Sequence, residues 1–282
     1  MILFFRQWQG ELLKLFAKRR TFIGFGAFLL FEIVLLIVSH LQGVERFFDR
    51  MISRQGQSFE HYFSALTLAQ IIIGFSVVLL GSIFLALVAG DIVAKENEDG
   101  HYRLMLVRPI SRVRLLFIKY LTCIGYTFAL VQFITWSSFL LGLSLKGWGG
   151  GFFVMIPDVG VLEFYDWLPG LKRFALASLF LAFSMSTVSS IAFFLSCLPI
   201  KPAAATITAL SYFLIDRILR ETSFMESYDQ LLLTKHISSW ARILAQDIAW
   251  PQVIRAFTVL AAVNASLFIA GAAIFESRDL KS

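Results

Sequence analysis

Side chains able to do chemistry are sparse in this chain and gather in one stretch, residues 91–114. Asp91, Lys95, Glu96, Glu98 and Asp99 lead to Gly100, and Arg103, Arg108, Pro109 and Arg112 follow within "AKENEDGHYRLMLVRPISRVR". Apolar runs flank the stretch on both sides. Pro109 disfavours helix in the residue before it, and Ser111 is a residue type that caps a following helix. The pattern predicts a short structured element whose mixed charges suit docking to a soluble protein. A solvated loop whose arginines only orient the chain is the other reading of the same residues.

Reactive constellations are missing elsewhere. There is no GxxxxGK[ST] loop for nucleotide phosphates, no HExxH, no GxSxG and no Cys/His ligand cluster. His40, His61, His101 and His236 fall in loops or at the ends of apolar runs, and Cys123 and Cys197 fall inside such runs, where they read as small hydrophobes. No catalytic residue, bound cofactor or metal is therefore expected in this chain, and the net charge of +6 is placed so as to make nucleic-acid binding an unlikely use of it. Glu32, in "LLFEIVLLIV", is a carboxylate within an apolar run. Such a group is costly in lipid and marks a substrate or proton site, or a contact that ties helices together. Asn264, Gln70 and Gln132 raise the same choice more weakly, and interhelical hydrogen bonding is the simpler reading for them.

The elements that must position these groups follow from composition. The chain of 282 residues is 58% hydrophobic and 16% charged, with a mean hydropathy of +0.75 and 30 phenylalanines. Soluble domains carry about 25% charged residues. The fold class expected is an all-α integral membrane protein forming a single transmembrane domain. Apolar runs predict six spans, at about 21–39, 65–90, 115–143, 174–198, 203–219 and 253–275. Phe4, Trp8, Leu12, Leu15 and Phe16 share one helical face, and Gln7, Glu11, Lys14 and Lys18 another. That predicts a helix over 3–18 lying in the membrane interface. Arg6, Lys14, Lys18, Arg19 and Arg20 precede the first span, which places the N-terminus in the cytoplasm. Six spans return the C-terminus to the same side; the location expected is the bacterial inner membrane, with no cleavable signal peptide expected. Outside, residues 40–64 read as mixed polar. In 144–173 the Gly and Pro of "KGWGGGFF" and "DWLPG" predict irregular chain. Phe224, Tyr228, Leu231 and Leu232, then Trp240, Ile243, Leu244 and Ile248, predict two short amphipathic helices, the second stopped near Pro251.

With these elements in view, "ENEDGHYRLMLVRPISRVRLLFIK" resembles the signature of the type-2 family of ABC-transporter permeases. Glu96, Gly100, Leu104, Leu106, Pro109, Ser111, Arg112 and Lys119 match it, and His101 stands where a threonine is usual. The closing "FESRDLKS" is also similar, as is the "W…I…IAW" segment before the last span. The resemblance implies the membrane subunit of an ATP-binding-cassette exporter, paired with a second permease copy or paralogue. Two separate nucleotide-binding ATPase subunits would hold the ATP and magnesium. It implies that 91–103 is a coupling helix lodged in the ATPase and that the turn "CLPIKP", with Pro199, Lys201 and Pro202, is a smaller second contact. Spans two and five would line the path, and the segment near 224–250 would cap it. No importer-type cytoplasmic motif is seen, which favours export. The residues themselves leave three rivals open: an ATP-independent secondary transporter or channel, an intramembrane enzyme, and a membrane assembly or sensing subunit that does not transport.

Overall fold

The computed structural model describes residues 2–99 and 111–277. Helix α1 (Ile2–Phe16) turns at residues 17–18 into α2 (Arg19–Ser39), which leads to α3 (Gln42–Arg54) and the single turn α4 (Phe59–Tyr62). From Ala65 the chain is helical to Glu98: α5 (Ala65–Phe75), a π-helical turn (Ser76–Gly81) and α6 (Ser82–Glu98). After the undescribed residues come α7 (Arg112–Lys146), strands β1 (Phe152–Ile156) and β2 (Val161–Tyr165), α8 (Trp167–Ser196) and α9 (Pro202–Arg220). A 3-10 segment (Ser223–Leu231), α10 (Leu233–Ile237) and a second 3-10 segment (Ser238–Leu244) precede α11 (Trp250–Ser277).

Five of these helices are long and apolar enough to cross a membrane: α2 from Thr21, α7, α8, α9 and α11. The fold is that of an all-α membrane protein. The expected span at 65–90 is divided between α5, an apolar helix of 11 residues, and α6, with the π turn between them. Helix α7 has 35 residues, about 50 Å at 1.5 Å per residue. It is longer than the ~30 Å hydrocarbon core, so its ends must emerge from it. Ser111 caps its start, the Oγ accepting from Arg114 N at 3.4 Å. Gly147, with φ of 74°, ends it in the backbone region that glycine tolerates best.

Helix α8 is central, packed by α6, α7, α9 and α11. Its hydroxyls stitch the bundle. Ser189 meets Thr127 of α7 at 2.7 Å, and Ser190 meets Tyr120 at 2.9 Å. Gln132 Nε2 donates to Ser178 at 3.2 Å, and Asn264 Nδ2 of α11 donates to Ser186 at 3.1 Å. Small and hydroxylated residues let helices approach closely where lipid provides no hydrophobic drive. A close approach falls at Gly90 of α6, where a Cβ would stand 2.6 Å from Thr206 Oγ1 and 3.2 Å from Thr206 N of α9.

Three prolines that read as breakers sit in first helical turns: Pro169 in α8, Pro202 in α9 and Pro251 in α11. There the missing N–H has no intrahelical partner to lose. So "DWLPG" begins a helix, and Pro251 starts α11 rather than stopping the one before. The glycine-rich loop leads into an antiparallel hairpin, with Phe152 opposite Tyr165 and Ile156 opposite Val161. Residues 40–64 are not merely polar loop. Helix α3 turns Ile52 into the core and leaves Arg46, Asp49, Arg50 and Arg54 exposed. The segment 220–252 also differs from two interfacial helices. Trp240, Ile243 and Leu244 are buried in the core, and their short spacing is taken up by 3-10 turns. Asp216, buried in the last turns of α9, accepts from Leu233 N at 3.2 Å and Thr234 N at 2.7 Å. A carboxylate thus caps α10, and that contact meets its burial cost.

Candidate functional site

Where α6 ends, the chain that was polar in sequence divides into an inner and an outer part. Ala94 and Glu96 are buried, while Lys95, Glu98 and Asp99 are exposed. Glu96 was expected on the docking surface. Its side chain is instead turned into the bundle, because a helix places residues one and two positions apart on different faces. Asp91, one turn and a half earlier, is buried too.

Glu96 faces Lys119 of α7, whose ammonium is wholly buried. Lys119 Nζ lies 2.7 Å from Glu96 Oε2 and donates to Glu11 Oε2 of α1 at 2.9 Å. Lys14, one turn beyond Glu11, bonds Glu96 Oε1 and lies 3.7 Å from Glu11. Two carboxylates and two ammoniums from three elements therefore form one neutral cluster. Burial would raise the Glu96 carboxyl, but Lys119 first and Lys14 second outweigh it and hold it below 4.5. Burial would lower Lys14, yet its bond to Glu96 and the attraction of Glu11 carry it above 10.5. Glu96 and Lys14 are each held in the charged form by this balance.

The apolar face expected for α1 completes the arrangement. Phe16 lies 6.1 Å from the Tyr126 ring, Phe4 lies 6.1 Å from the Phe117 ring, and Leu15 is buried. That face rests on α7, while Leu3, Phe5 and Leu13 stay exposed. The helix is thus bolted to the bundle by its apolar side and by Glu11 and Lys14. Arg112, at the start of α7, donates from Nη1 to Glu276 O at 3.1 Å, tying the last turn of α11 to the same end. The turn that carries Pro199 and Lys201 joins α8 to α9 with both residues exposed, and Pro202 opens α9.

The chain matches the family model described as ABC-2 family transporter protein over residues 9–216. That stretch runs from α1 to the end of α9 and is well over half of the chain. The chain belongs to the ABC-2 transporter family. It is accordingly a multi-pass integral membrane protein of the permease kind. It is also 36% identical over 72 residues to a Bacillus subtilis (strain 168) protein named Uncharacterized protein YhcI, a match covering 26% of this chain and 23% of that protein.

Within this ABC-2 permease, Gly100, Arg103, Arg108 and Pro109, with His101, lie outside the described residues, as do Arg278, Asp279 and Lys281. The two intramembrane candidates are not one site. Glu32 of α2 is wholly buried and accepts from Ser137 Oγ at 2.9 Å, whereas Asn264 contacts Tyr120 and Ser186. Ser137 and Tyr120 are 17 residues apart on α7, about 25 Å along its axis. Each side chain joins helices. Among the described residues no group of three or more His, Cys, Asp or Glu is placed to hold a metal ion. Sequence reasoning missed Glu11 and Lys119 as partners. Their signal was present: a carboxylate on the otherwise basic face of α1, and one lysine inside "LLFIKYLTCI".

Proposed function

We propose that this chain is the membrane-spanning subunit of an ATP-powered exporter, driven by separate nucleotide-binding subunits that dock at the α1 end. The reading counts residues 65–90 as a sixth span, with both termini in the cytoplasm and the hairpin outside. The observation that carries it is the ion cluster. Glu96 lies four residues before Gly100, and Lys119 seven residues after Arg112, so the segment between is anchored at both ends to one buried network. Lys95, Glu98 and Asp99 project from that anchor, free to meet a partner, with Lys201 on the neighbouring turn.

A push on 100–110 would pass through Glu96 and Lys119 to α1, α6 and α7 as one body. Tightly packed groups of this kind transmit discrete shifts rather than deform gradually. The π turn at Ser76–Gly81 gives the 65–98 run a break where its two halves can move apart, as π turns often do at functional places. The close α6–α9 contact at Gly90 and Thr206 would hand the motion to α9. A second permease copy or paralogue would complete the path, and the cytoplasmic membrane of a bacterium is the setting. ATP and magnesium belong to the partner.

The test is dependence on that partner. Co-expression with P-loop ATPase subunits from the same genome should yield an equimolar complex with one of them. Exchanging Glu98 and Asp99 for lysine should lower its recovery while the permease accumulates normally. Equal recovery with both charges reversed would remove the docking role, and substrate flux through this chain alone in liposomes would remove the ATP-powered reading.

A further inference from the structure

At the opposite end, between the run 230–242 and the start of α11, lies a cavity of about 400 Å³. Lys235, His236, Arg242 and Arg255 line it, with Gln230 and Gln252, and among the described residues no carboxylate does. Lys235 is paired with Asp229. His236 donates from Nε2 to the Gln230 carbonyl at 2.9 Å. The two guanidinium groups have only neutral partners among the described residues. Arg242 donates to Gln252 Oε1, and Arg255 donates from Nη2 to Gln230 Oε1 at 3.2 Å. Two arginine charges thus converge on one space without a counter-charge, each held in place by an amide oxygen.

The backbone adds to this field. Gln252 stands in the first turn of α11, a helix of 28 residues, whose dipole favours an anion near its start. The surroundings say where that anion would come from. Leu231, Tyr228, Trp250 and Ile254 are exposed close by in sequence, and exposed Trp and Tyr beside apolar residues mark the level of lipid headgroups. Planar guanidinium pairs bind phosphate oxygens through two parallel bonds each.

We infer that this cavity is a binding site for a phosphate ester group, held chiefly by Arg242 and Arg255. The site is independent of the coupling end and does not rest on ATP-driven export. The ester could belong to a lipid headgroup or to a free phosphate compound, and the probes separate the two.

The experiment uses the full chain purified in an uncharged detergent, with binding read from tryptophan fluorescence. The probes are a short-chain phosphatidylglycerol, the matching diacylglycerol without phosphate, glycerol 1-phosphate and inorganic phosphate. Phosphatidylglycerol should bind saturably, more tightly than the diacylglycerol, and less well as salt rises. Arg242→Gln with Arg255→Gln should weaken it by about ten-fold or more and leave the diacylglycerol unchanged. Glycerol 1-phosphate binding as tightly as the lipid assigns the site to free phosphate esters, and binding of the lipid alone assigns it to headgroups. Should the double variant not fold, Arg255→Gln carries the test, since Arg255 is exposed and bonded only to Gln230. Arg46→Gln, on the exposed face of α3, is the charge control. Lipid binding no tighter than that of the diacylglycerol, or unchanged in the arginine variants, overturns the inference.

Discussion

Replacing Lys119 with methionine should cost the permease more stability than any other single change at the coupling end. Methionine keeps most of the volume and removes the charge. The variant loses ion pairs of 2.9 Å to Glu11 and 2.7 Å to Glu96 and leaves both carboxylates facing one lysine. Removing one member of a buried pair costs about 3–5 kcal/mol, because the remaining charge stays out of water without its partner. Lys14, with 38% of its side chain exposed, is screened by solvent, so Lys14→Met should cost no more than about 1 kcal/mol. Unfolding free energy in mixed micelles reads both. Glu96→Leu added to Lys119→Met should recover about 1–3 kcal/mol against the sum of the single changes, since Glu11 and Lys14 then remain as a balanced pair. A Lys119→Met loss within 1 kcal/mol of that of Lys14→Met, or strict additivity in the double variant, would refute the idea that the cluster acts as one unit.

Further outcomes follow from the same contacts. Glu96 is held below 4.5, so its contribution is complete above that value and is lost as pH falls through the lower folded one. Lys14 is held above 10.5, so its contribution is complete below that value and lost as pH rises past it. The distance between spin labels at Leu13 and Lys95 should therefore stay narrow between these limits and broaden once acid protonates Glu96 below 4.5, and a distribution that stays narrow until the whole protein unfolds in acid would contradict this. Gly90→Val should destabilise by about 1–3 kcal/mol, through its clash with Thr206, and Thr206→Ala should restore only part, because Thr206 N is also close; thermal unfolding of the three variants decides it. Asp216→Ala should cost about 1–2 kcal/mol and speed protease cleavage near Leu233, and wild-type cleavage rates would show that the cap is dispensable.

Much of this architecture could be read from apolar runs. Lengths near 20 residues and a charge-poor composition mark the helices at 21–39, 115–143, 174–198 and 253–275, because lipid demands both. The helix over 3–18 was legible from its face of Phe4, Trp8, Leu12, Leu15 and Phe16. What that face rests on was not, since α7 and lipid offer the same apolar surface to a sequence pattern. Ser111 announced its cap because capping is local. The hairpin at 152–165 is hidden behind a glycine run that resembles loop, and Pro169 in "DWLPG" and Pro251 read as irregular chain and as a stop because a proline's effect depends on which turn of a helix it occupies. Glu96 shows the limit most clearly. The residues that neutralise it are Lys14 and Lys119, 82 and 23 positions away, and no spacing rule relates side chains that far apart. In sequence it stood beside Glu98 and Asp99 as one acidic patch, whereas in the fold the helix turns it inward.

The most direct measurement places a photo-crosslinking residue at Asp99 in one variant and at Ser227 in another, both exposed, with the ATPase that co-purifies with the permease co-expressed. The account predicts a crosslink to the ATPase from position 99 alone, with a yield that changes when ATP is added under conditions that block hydrolysis. A crosslink from position 227, or none from position 99 in a complex that still hydrolyses ATP, would contradict it.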